Sequence, residues 1–236
     1  MVFDFAFKRI SVVGLGYIGL PTAAMFASCK VEVIGVDLNQ KTVDTINQGR
    51  IHIVEPDLDL AVAESVASNS LSAQVTPAPA DVFLIAVPTP FHNGPDGIPQ
   101  PNIDYVLAAA RAIAPVMRPG NLVLLESTSP VGTTEQVAQV IAEASALSSE
   151  QLHIAYCPER VLPGRILQEL ISNDRVIGGL TPAAAAAGQA FYASFCQGEL
   201  LATTARTAEL VKLTENSFRD VNIAFANELS LVCDHL

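Results

Sequence analysis

The stretch from Ile10 to Asp37 constrains the fold of this chain more than any other. A short apolar run ends in three glycines, Gly14, Gly16 and Gly19, a helix-forming segment follows, and a second apolar run ends at Asp37. This order predicts a strand, a tight turn, a helix and a second strand that closes on an acidic residue. Such a unit is typical of a parallel sheet with helices on both faces.

Each glycine has its own physical reason. Gly14 permits the tight turn, Gly16 lets a pyrophosphate approach the backbone, and Gly19 lets the helix pack closely on the strand. The first turn of the helix offers backbone N–H groups and a positive dipole end to phosphate. We expect Tyr17 and Ile18, which lie in this turn, to contact the same ligand.

Asp37 indicates which dinucleotide binds. A carboxylate at the end of the second strand can accept hydrogen bonds from ribose hydroxyls and would repel a 2′-phosphate. The unit therefore predicts a site for NAD. The alternative is a glycine-rich turn in another parallel-sheet protein, which the flanking strands and the acidic residue disfavour.

Composition limits the partners. The 236 residues carry a formal net charge of −11, which disfavours nucleic acid and anionic membrane surfaces. No apolar run reaches the roughly 18–20 residues that a membrane span needs. The N-terminus lacks the basic region and cleavage site of a signal peptide. The 4 cysteines are scattered without metal-ligand spacing, as is typical of reduced thiols. We expect a cytoplasmic protein without a metal site.

Strand-like and helix-like segments alternate along most of the chain. We predict helices over 21–29, 40–48, 58–67, 104–117, 135–146 and 183–196, and strands over 10–13, 31–36, 72–75, 81–87, 121–126, 152–156, 175–178 and 199–202. This alternation predicts an α/β fold with a doubly wound, Rossmann-type parallel sheet.

A long helix is predicted after this alternation ends. From Arg206 to Leu236 no helix breaker occurs, and apolar residues recur with helical spacing. We therefore divide the chain into an NAD-binding domain, residues 1–205, and the start of a helical segment, residues 206–236.

Polar loops follow the predicted strands at four places, over 14–19, 87–90, 126–132 and 157–164. The carboxyl ends of parallel strands meet at one edge of a sheet, where doubly wound folds bind ligands. One such loop is explained by turn chemistry alone, but four on one edge predict a ligand crevice.

Several side chains in these loops are candidates for chemistry. Thr89 and Thr128 are hydroxyls that can bond a cofactor, a substrate or a water, or else serve as turn hydroxyls. Glu159 can act as a general base or orient a water, or else form a surface ion pair with Arg160 or Arg165. The two arginines are also candidate phosphate ligands.

Lys212 and Asn216 lie four residues apart, so they share one face of the predicted long helix. An ammonium beside an amide can stabilise an oxyanion. The alternative from spacing alone is a solvated polar stripe.

The chain resembles the UDP-glucose/GDP-mannose dehydrogenase family. The matching segments span nearly the whole chain in order: VVGLGYIGLPTA (12–23), IGVDLNQKTVDTINQG (34–49), IHIVEPDL (51–58), AVPTPF (86–91), LESTSPVGTTE (125–135), AYCPERVLPG (155–164), NDRVIGG (173–179) and AELVKLTENSFRDVNIAFANELSLVCD (208–234). Within the family, PERVLPG and KLTENSFRDVNIAFANELS favour the branch that acts on UDP-N-acetyl-D-mannosamine.

The resemblance implies oxidation of the C6 hydroxymethyl of a nucleotide sugar to a carboxylate with two NAD, in the synthesis of surface-polysaccharide precursors. A cysteine captures the intermediate aldehyde, and water releases the acid from a thioester. It also implies dimerisation through the long helix.

The resemblance also assigns roles to individual residues. Thr128 matches the water-holding threonine, Glu159 the loop carboxylate, and Lys212 and Asn216 the donors to the developing oxyanion. Glu159, Arg160, Lys212 and Asn216 are expected at the substrate. The cofactor-contacting positions match Gly14, Gly16, Gly19, Asp37, Thr89 and Thr128.

Two departures from the family pattern matter. Glucose-type members carry a second Glu where this chain has Pro163, which argues against UDP-glucose as the substrate. The family's nucleophilic Cys lies in a Gly-rich segment after the long helix, and the sequence has no such segment. We therefore expect this chain to be the N-terminal portion of a longer enzyme, which binds NAD but is inactive alone. Cys157 is a poor substitute nucleophile, because a reactive thiol needs a lowered pKa.

Three alternatives stay open from the sequence. The substrate can be another nucleotide sugar, UDP-N-acetylglucosamine or UDP-glucose. The chain can be a complete short β-hydroxyacid dehydrogenase, although LESTSPVGTTE and PERVLPG fit that class poorly. It can also be a non-catalytic NAD-sensing module, which would have no use for Lys212.

Overall fold

An eight-stranded sheet lies at the centre of the computed structural model, which describes residues 7–162 and 164–236. Pro163, at which the chain departs from glucose-type relatives, lies outside the described residues, as does the N-terminal segment 1–6. The strands are β1 Arg9–Val13, β2 Glu32–Val36, β3 Leu71–Gln74, β4 Val82–Ile85, β5 Phe91–Asn93, β6 Pro99–Pro101, β7 Leu122–Leu125, β8 His153–Tyr156, β9 Arg175–Gly179 and β10 Leu200–Thr204.

Helices cover both faces of this sheet. They are α1 Gly19–Ser28, α2 Gln40–Asn47, α3 Leu58–Ala67, α4 Asp104–Ile113, α5 Thr133–Ala144, α6 Ile166–Ser172, α7 Pro182–Ala193 and α8 Ala205–Asp234. One buried core cluster includes Phe26 of α1 and Phe191 of α7, whose ring centroids lie 4.8 Å apart. A second cluster includes Ile113 of α4 and Ile141 of α5. The predicted α/β fold of the doubly wound type is confirmed.

The strand order is β10-β9-β8-β7-β4-β1-β2-β3, so the chain leaves β1 in one direction through β2 and β3 and resumes on the other side with β4. The order therefore reverses between β1 and β4, the position at which such sheets bind ligands. β1, β4, β7 and β8 pair in parallel, which brings the four predicted loops to one edge.

The sheet departs from the expected parallel pairing at one pair of strands. β8 and β9 are antiparallel, with Tyr156 opposite Gly178. Antiparallel neighbours need no crossover to the far edge. The connection from Cys157 to Asp174 therefore begins and ends at the same edge of the sheet, and Arg175, the first residue of β9, lies at that edge.

Three further parts of the chain differ from the predictions. The predicted loop after β4 contains a hairpin of β5 and β6. The helix α6 follows the loop after β8 and was not predicted, since its seven residues are too few to show a helical period. The predicted helix over 104–117 ends at Ile113 and continues as a 3₁₀ turn, Ala114–Val116, because Pro115 lacks a backbone N–H.

The N-terminal half of α8 is fixed to the sheet by one buried carboxylate. Glu209 accepts hydrogen bonds from the backbone N–H of Gly132 at 2.6 Å and of Thr134 at 2.8 Å, and from the Thr134 hydroxyl at 2.6 Å. These donors lie at the start of α5, where helices leave N–H groups unpaired. From Asn216 to the end, α8 is exposed. Among the described residues, no helix is both long and apolar enough to cross a membrane.

We expect Glu209→Gln to lower the free energy of unfolding by about 2–3 kcal/mol, because an amide cannot accept from all three donors and leaves a buried N–H unpaired. Urea denaturation measures this loss. Glu64→Gln, on the exposed face of α3, is the matched control and should leave stability unchanged. Equal stabilities of the two variants would contradict this account of how α8 is held.

Candidate functional site

A cavity of about 410 Å³ opens at the carboxyl edge of β1, β4, β7 and β8. It brings together most of the candidate residues from the four loops, from the end of β2 and from α8: Gly14, Gly16, Tyr17, Ile18, Asp37, Thr89, Thr128, Glu159 and Lys212. Its lining also includes His52, Glu126 and Ser127, which the sequence did not mark as candidates. Gly19, Arg160 and Asn216 are not part of the lining.

The three glycines of the first turn differ in what surrounds them. Gly14 has a φ of +92°, and a Cβ there would lie 2.7 Å from the Ala86 carbonyl oxygen. A Cβ at Gly19 would lie 1.7 Å from the carbonyl oxygen of Gly14, so α1 packs directly on the turn. A Cβ at Gly16 would meet nothing within 4 Å. Gly14 and Gly19 therefore serve the fold, whereas Gly16 leaves open space beside the cavity.

Asp37 is held in a fixed orientation at the end of β2. Its Oδ2 accepts from the backbone N–H of Leu15 at 3.1 Å, and its Oδ1 accepts from that of Asn39 at 2.9 Å. The first bond ties the carboxylate to the glycine turn. Asp37 keeps further lone pairs beside these two bonds. They can accept hydrogen bonds from the two hydroxyl groups of a diol.

A second cavity, of about 240 Å³, adjoins the first at Gly14 and Asp37. Apolar side chains such as Val36, Val75 and Tyr105 line most of it. An apolar slot next to a carboxylate fits a flat aromatic base attached to a ribose. The open face of Gly16, the start of α1 and these two cavities together fit the parts of a dinucleotide.

The loops after β4 and β7 are joined by Ser127, whose hydroxyl donates to the Val87 carbonyl at 2.8 Å. This bond places Thr89 and Thr128, one on each loop, in the wall of one cavity. Both threonines are half-buried. Neither hydroxyl bonds another side chain in residues 7–162 and 164–236, so both are available to a ligand or a water.

Glu159 is a buried group, which the sequence did not predict. Its Oε2 accepts from Arg175 Nη1 at 3.1 Å, and its Oε1 accepts from the backbone N–H of Arg160 at 2.7 Å. The expected alternative, a surface ion pair with Arg160 or Arg165, is wrong because the partner is the buried Arg175. With both oxygens engaged, Glu159 is better placed to hold the loop than to accept a proton.

Lys212 reaches the cavity from α8. Its Nζ donates to the backbone carbonyl of Glu159 at 2.6 Å. Burial lowers the pKa of the Lys212 ammonium, against the opposing fields of Glu159 and Glu215. Asn216 lies one turn further along α8 and is exposed.

Arg160 lies outside the cavity wall and is engaged by α8. Its Nη2 and Nε donate to the two carboxylate oxygens of Glu215 at 2.6 Å and 2.9 Å. This two-pronged pair closes the loop after β8 against the long helix. A phosphate would have to compete with Glu215 for the guanidinium.

Cys157 is fully buried at the end of β8. Burial raises the pKa of its thiol to about 12. A thiol that stays protonated near neutral pH is a poor nucleophile, which agrees with the expectation that Cys157 is not catalytic.

Several residues that support the site were not predicted. Glu55 accepts from the backbone N–H groups of Gly164 and Ile166, each at 2.8 Å, and so ties the loop before α3 to the loop after β8. Glu126 and Tyr192 bond each other beneath the cavity. Their pairing joins distant segments, and no local spacing could have indicated it.

Two neighbouring parts of the chain match domains of the same protein family. Residues 8–196 match the NAD-binding domain of the UDP-glucose/GDP-mannose dehydrogenase family, and residues 206–236 match the central domain of the same family.

Two curated relatives show similar levels of identity. A UDP-N-acetyl-D-mannosamine dehydrogenase of Yersinia pestis is 59% identical over 97% of this chain, and an NDP-N-acetyl-D-galactosaminuronic acid dehydrogenase of Ralstonia nicotianae is 58% identical over 99%. This chain covers 56% of each of these proteins. It therefore spans about half the length of the curated relatives it matches.

Solved structures share the fold. The UDP-N-acetyl-mannosamine dehydrogenase of Staphylococcus aureus superposes with a TM-score of 0.87 at 46% identity, over 97% of this chain and 55% of that one. A 3-hydroxyisobutyrate dehydrogenase of Salmonella typhimurium superposes with a TM-score of 0.61 at 18% identity, over 95% of this chain and 66% of that one. The second likeness shows the fold alone.

The different surroundings of the glycines give a paired prediction. We expect Gly16→Ala to weaken NAD binding at least about tenfold, or ~1.4 kcal/mol, while the melting temperature stays unchanged. We expect Gly19→Ala to lower the free energy of unfolding by about 3 kcal/mol or more, because its Cβ has no room. Calorimetric titration and thermal melting measure the two effects. Unchanged NAD affinity in Gly16→Ala would contradict the assigned position of the dinucleotide.

Proposed function

The chain belongs to the UDP-glucose/GDP-mannose dehydrogenase family, and from this premise we propose that it is the cofactor-binding part of an enzyme that oxidises the C6 hydroxymethyl of UDP-N-acetyl-D-mannosamine to the uronate. One observation carries the proposal. Lys212 enters the same cavity as the glycine turn and Thr128, so a charged donor adjoins the dinucleotide site. A protein that only senses NAD has no need of such a donor.

In this proposal, Gly16, the first turn of α1 and Asp37 hold the cofactor, with Tyr17, Ile18 and Thr89 beside it. NAD, when bound, supplies the hydride acceptor of the oxidation.

The remaining side chains in the proposal act on the sugar and its reacting oxygen. Lys212 offers an ammonium proton at Nζ to the oxygen that becomes negative, and its lowered pKa favours sharing of that proton. Asn216 adds an amide donor when the sugar is bound, and Thr128 holds a water in the cavity wall. Glu159 keeps the loop after β8 in place and aims its carbonyl at Lys212.

The substrate class rests on the relatives. Both curated relatives are named for acting on N-acetylated sugars or their uronic acids, and the solved Staphylococcus aureus relative is named for UDP-N-acetyl-mannosamine. An N-acetylgalactosamine nucleotide is the second candidate, because the Ralstonia nicotianae relative is nearly as similar. UDP-N-acetylglucosamine and UDP-glucose rank below these two.

We also propose the wider setting. The boundary between the two parts of the chain lies near residue 205, with an NAD-binding domain before it and a helical segment, residues 206–236, after it. The enzyme works in the cytoplasm, in the synthesis of surface-polysaccharide precursors. The thiol that captures the aldehyde is not Cys157, because burial raises the pKa of that thiol to about 12.

A substrate panel tests the proposed activity. In the complete gene product that contains this chain, we expect NAD reduction with UDP-N-acetyl-D-mannosamine and much less with UDP-N-acetylgalactosamine, UDP-N-acetylglucosamine or UDP-glucose. Lys212→Ala should lower kcat by about 10²–10³-fold, because an oxyanion donor is lost, while NAD still binds. Lys41→Ala, on the exposed start of α2, is the control. Full activity of Lys212→Ala would contradict the assigned role, and turnover of UDP-glucose alone would contradict the substrate.

We propose that the protein forms a homodimer through α8. The second half of this helix exposes large apolar side chains, among them Phe218, Val221 and Phe225. Exposed apolar surface of this kind is typical of an interface.

Light scattering at micromolar concentration tests the dimer. We expect the wild-type chain to have twice the mass of one chain, and Phe225→Asp to be a monomer, because a buried unpaired charge opposes association. Asp220→Asn, on the same exposed part of α8, should stay dimeric. A monomeric wild-type chain would contradict the proposal.

A further inference from the structure

A continuous network of contacting residues runs beneath the cavity and ends at Lys212. The Tyr192 hydroxyl donates to Glu126 Oε1 at 2.7 Å. Arg175 Cζ lies 4.6 Å from the centroid of the Tyr192 ring, and Arg175 Nη1 donates to Glu159 Oε2 at 3.1 Å. The carbonyl of Glu159 in turn accepts from Lys212 Nζ at 2.6 Å. This network joins five parts of the fold: the end of β7, α7, β9, the loop after β8, and α8.

The charges in this network do not balance if the carboxyl groups of Glu126 and Glu159 are both ionised. Glu126, Glu159 and Arg175 have exposed fractions of 3%, 7% and 3%. Arg175 directs its two terminal nitrogens to Glu159 and to the Leu170 carbonyl. Its Nε is buried and has no hydrogen-bond partner among the described residues, so no nitrogen of Arg175 bonds Glu126 there. A buried charge without a partner is costly. One guanidinium therefore matches one carboxylate, and the second carboxyl group is favoured in its neutral form.

The atoms of Glu126 agree with this assignment. Its Oε1 accepts from Tyr192, whereas its Oε2 is buried and has no hydrogen-bond partner in the described part of the chain. The groups that face Glu126 are Glu159, Arg175, Tyr192 and Cys157. Burial, reinforced by the Glu159 carboxylate, raises the pKa of Glu126 to about 8, although Arg175 and the Tyr192 hydrogen bond oppose the shift.

We propose that Glu126 is a positioning residue that works as a neutral carboxyl group: it keeps its proton, anchors Tyr192, and leaves Arg175 free to hold Glu159 beneath Lys212. This proposal rests on the proposed function, because it concerns how the donor Lys212 is placed. If Glu126 were ionised, it would compete with Glu159 for the single guanidinium. The Glu159 loop would then lose its buried partner, and Lys212 its fixed carbonyl acceptor.

The test is an NMR titration of this 236-residue chain with ¹³C-labelled carboxyl groups on Glu and ¹³Cε on Lys. We expect one Glu carboxyl resonance to remain in the protonated position at neutral pH and to titrate near pH 8. That resonance should be absent from Glu126→Gln. The Lys212 resonance should shift at the same pH in the wild-type chain and lack this step in Glu126→Gln.

Two further variants keep the test decisive. Tyr192→Phe removes a hydrogen bond that favours the ionised form, so the Glu126 resonance should titrate at higher pH than in the wild-type chain. Glu64→Gln, on the exposed face of α3, removes a carboxyl group without affecting either resonance. A Glu126 resonance that titrates in the ordinary range of a glutamate would overturn the proposal. So would a Lys212 step that persists in Glu126→Gln.

Thermal melting gives an independent readout. A pKa that folding raises makes the native state bind the extra proton, so stability falls as pH rises from the unfolded pKa towards the folded one. Between pH 5 and pH 8, the melting temperature of the wild-type chain should therefore fall relative to that of Glu126→Gln. A constant difference between the two chains would count against a neutral Glu126. Failure of NAD to bind would contradict the proposed function but would leave these titrations unchanged.

Discussion

The carboxylate of Glu209 at the start of α5 is the interaction on which the geometry of the site depends. It is fully buried, and a buried carboxylate is tolerated only where hydrogen bonds replace its hydration. Gly132 and Thr134 supply those bonds from a helix N-terminus, whose dipole also favours the negative charge. Glu209 and Lys212 lie within one turn of the same continuous helix, so fixing Glu209 also fixes the start of the Lys212 side chain.

The direction of β9 completes the site from the other side. As an antiparallel neighbour of β8, it begins at the edge where the ligand cavity opens, and its first residue is Arg175. The guanidinium then lies beneath the loop after β8 and pairs with Glu159. A parallel strand at this position would place Arg175 at the opposite edge. The single departure from parallel pairing therefore supplies the buried cation that the loop requires.

Much of the fold and part of the site could be predicted from the sequence, because they follow from local patterns. The glycine turn, the acidic end of β2 and the polar strand ends are each recognisable within a few residues. The pairs that hold the site are different, since Glu209 reaches Gly132 across 77 positions and Tyr192 reaches Glu126 across 66. No local sequence pattern indicates either pair, so the partners are recognised only in the folded chain. The strand β9 was predicted, but its antiparallel direction was not, for the same reason.

The most direct test of the account is a crystal structure of this chain with NAD bound. We expect the pyrophosphate against the open face of Gly16, ribose hydroxyls on Asp37, and Lys212 in the wall of the same cavity, still bonded to the Glu159 carbonyl. NAD bound elsewhere on the chain, or a Lys212 side chain turned away from the cavity that holds NAD, would contradict it.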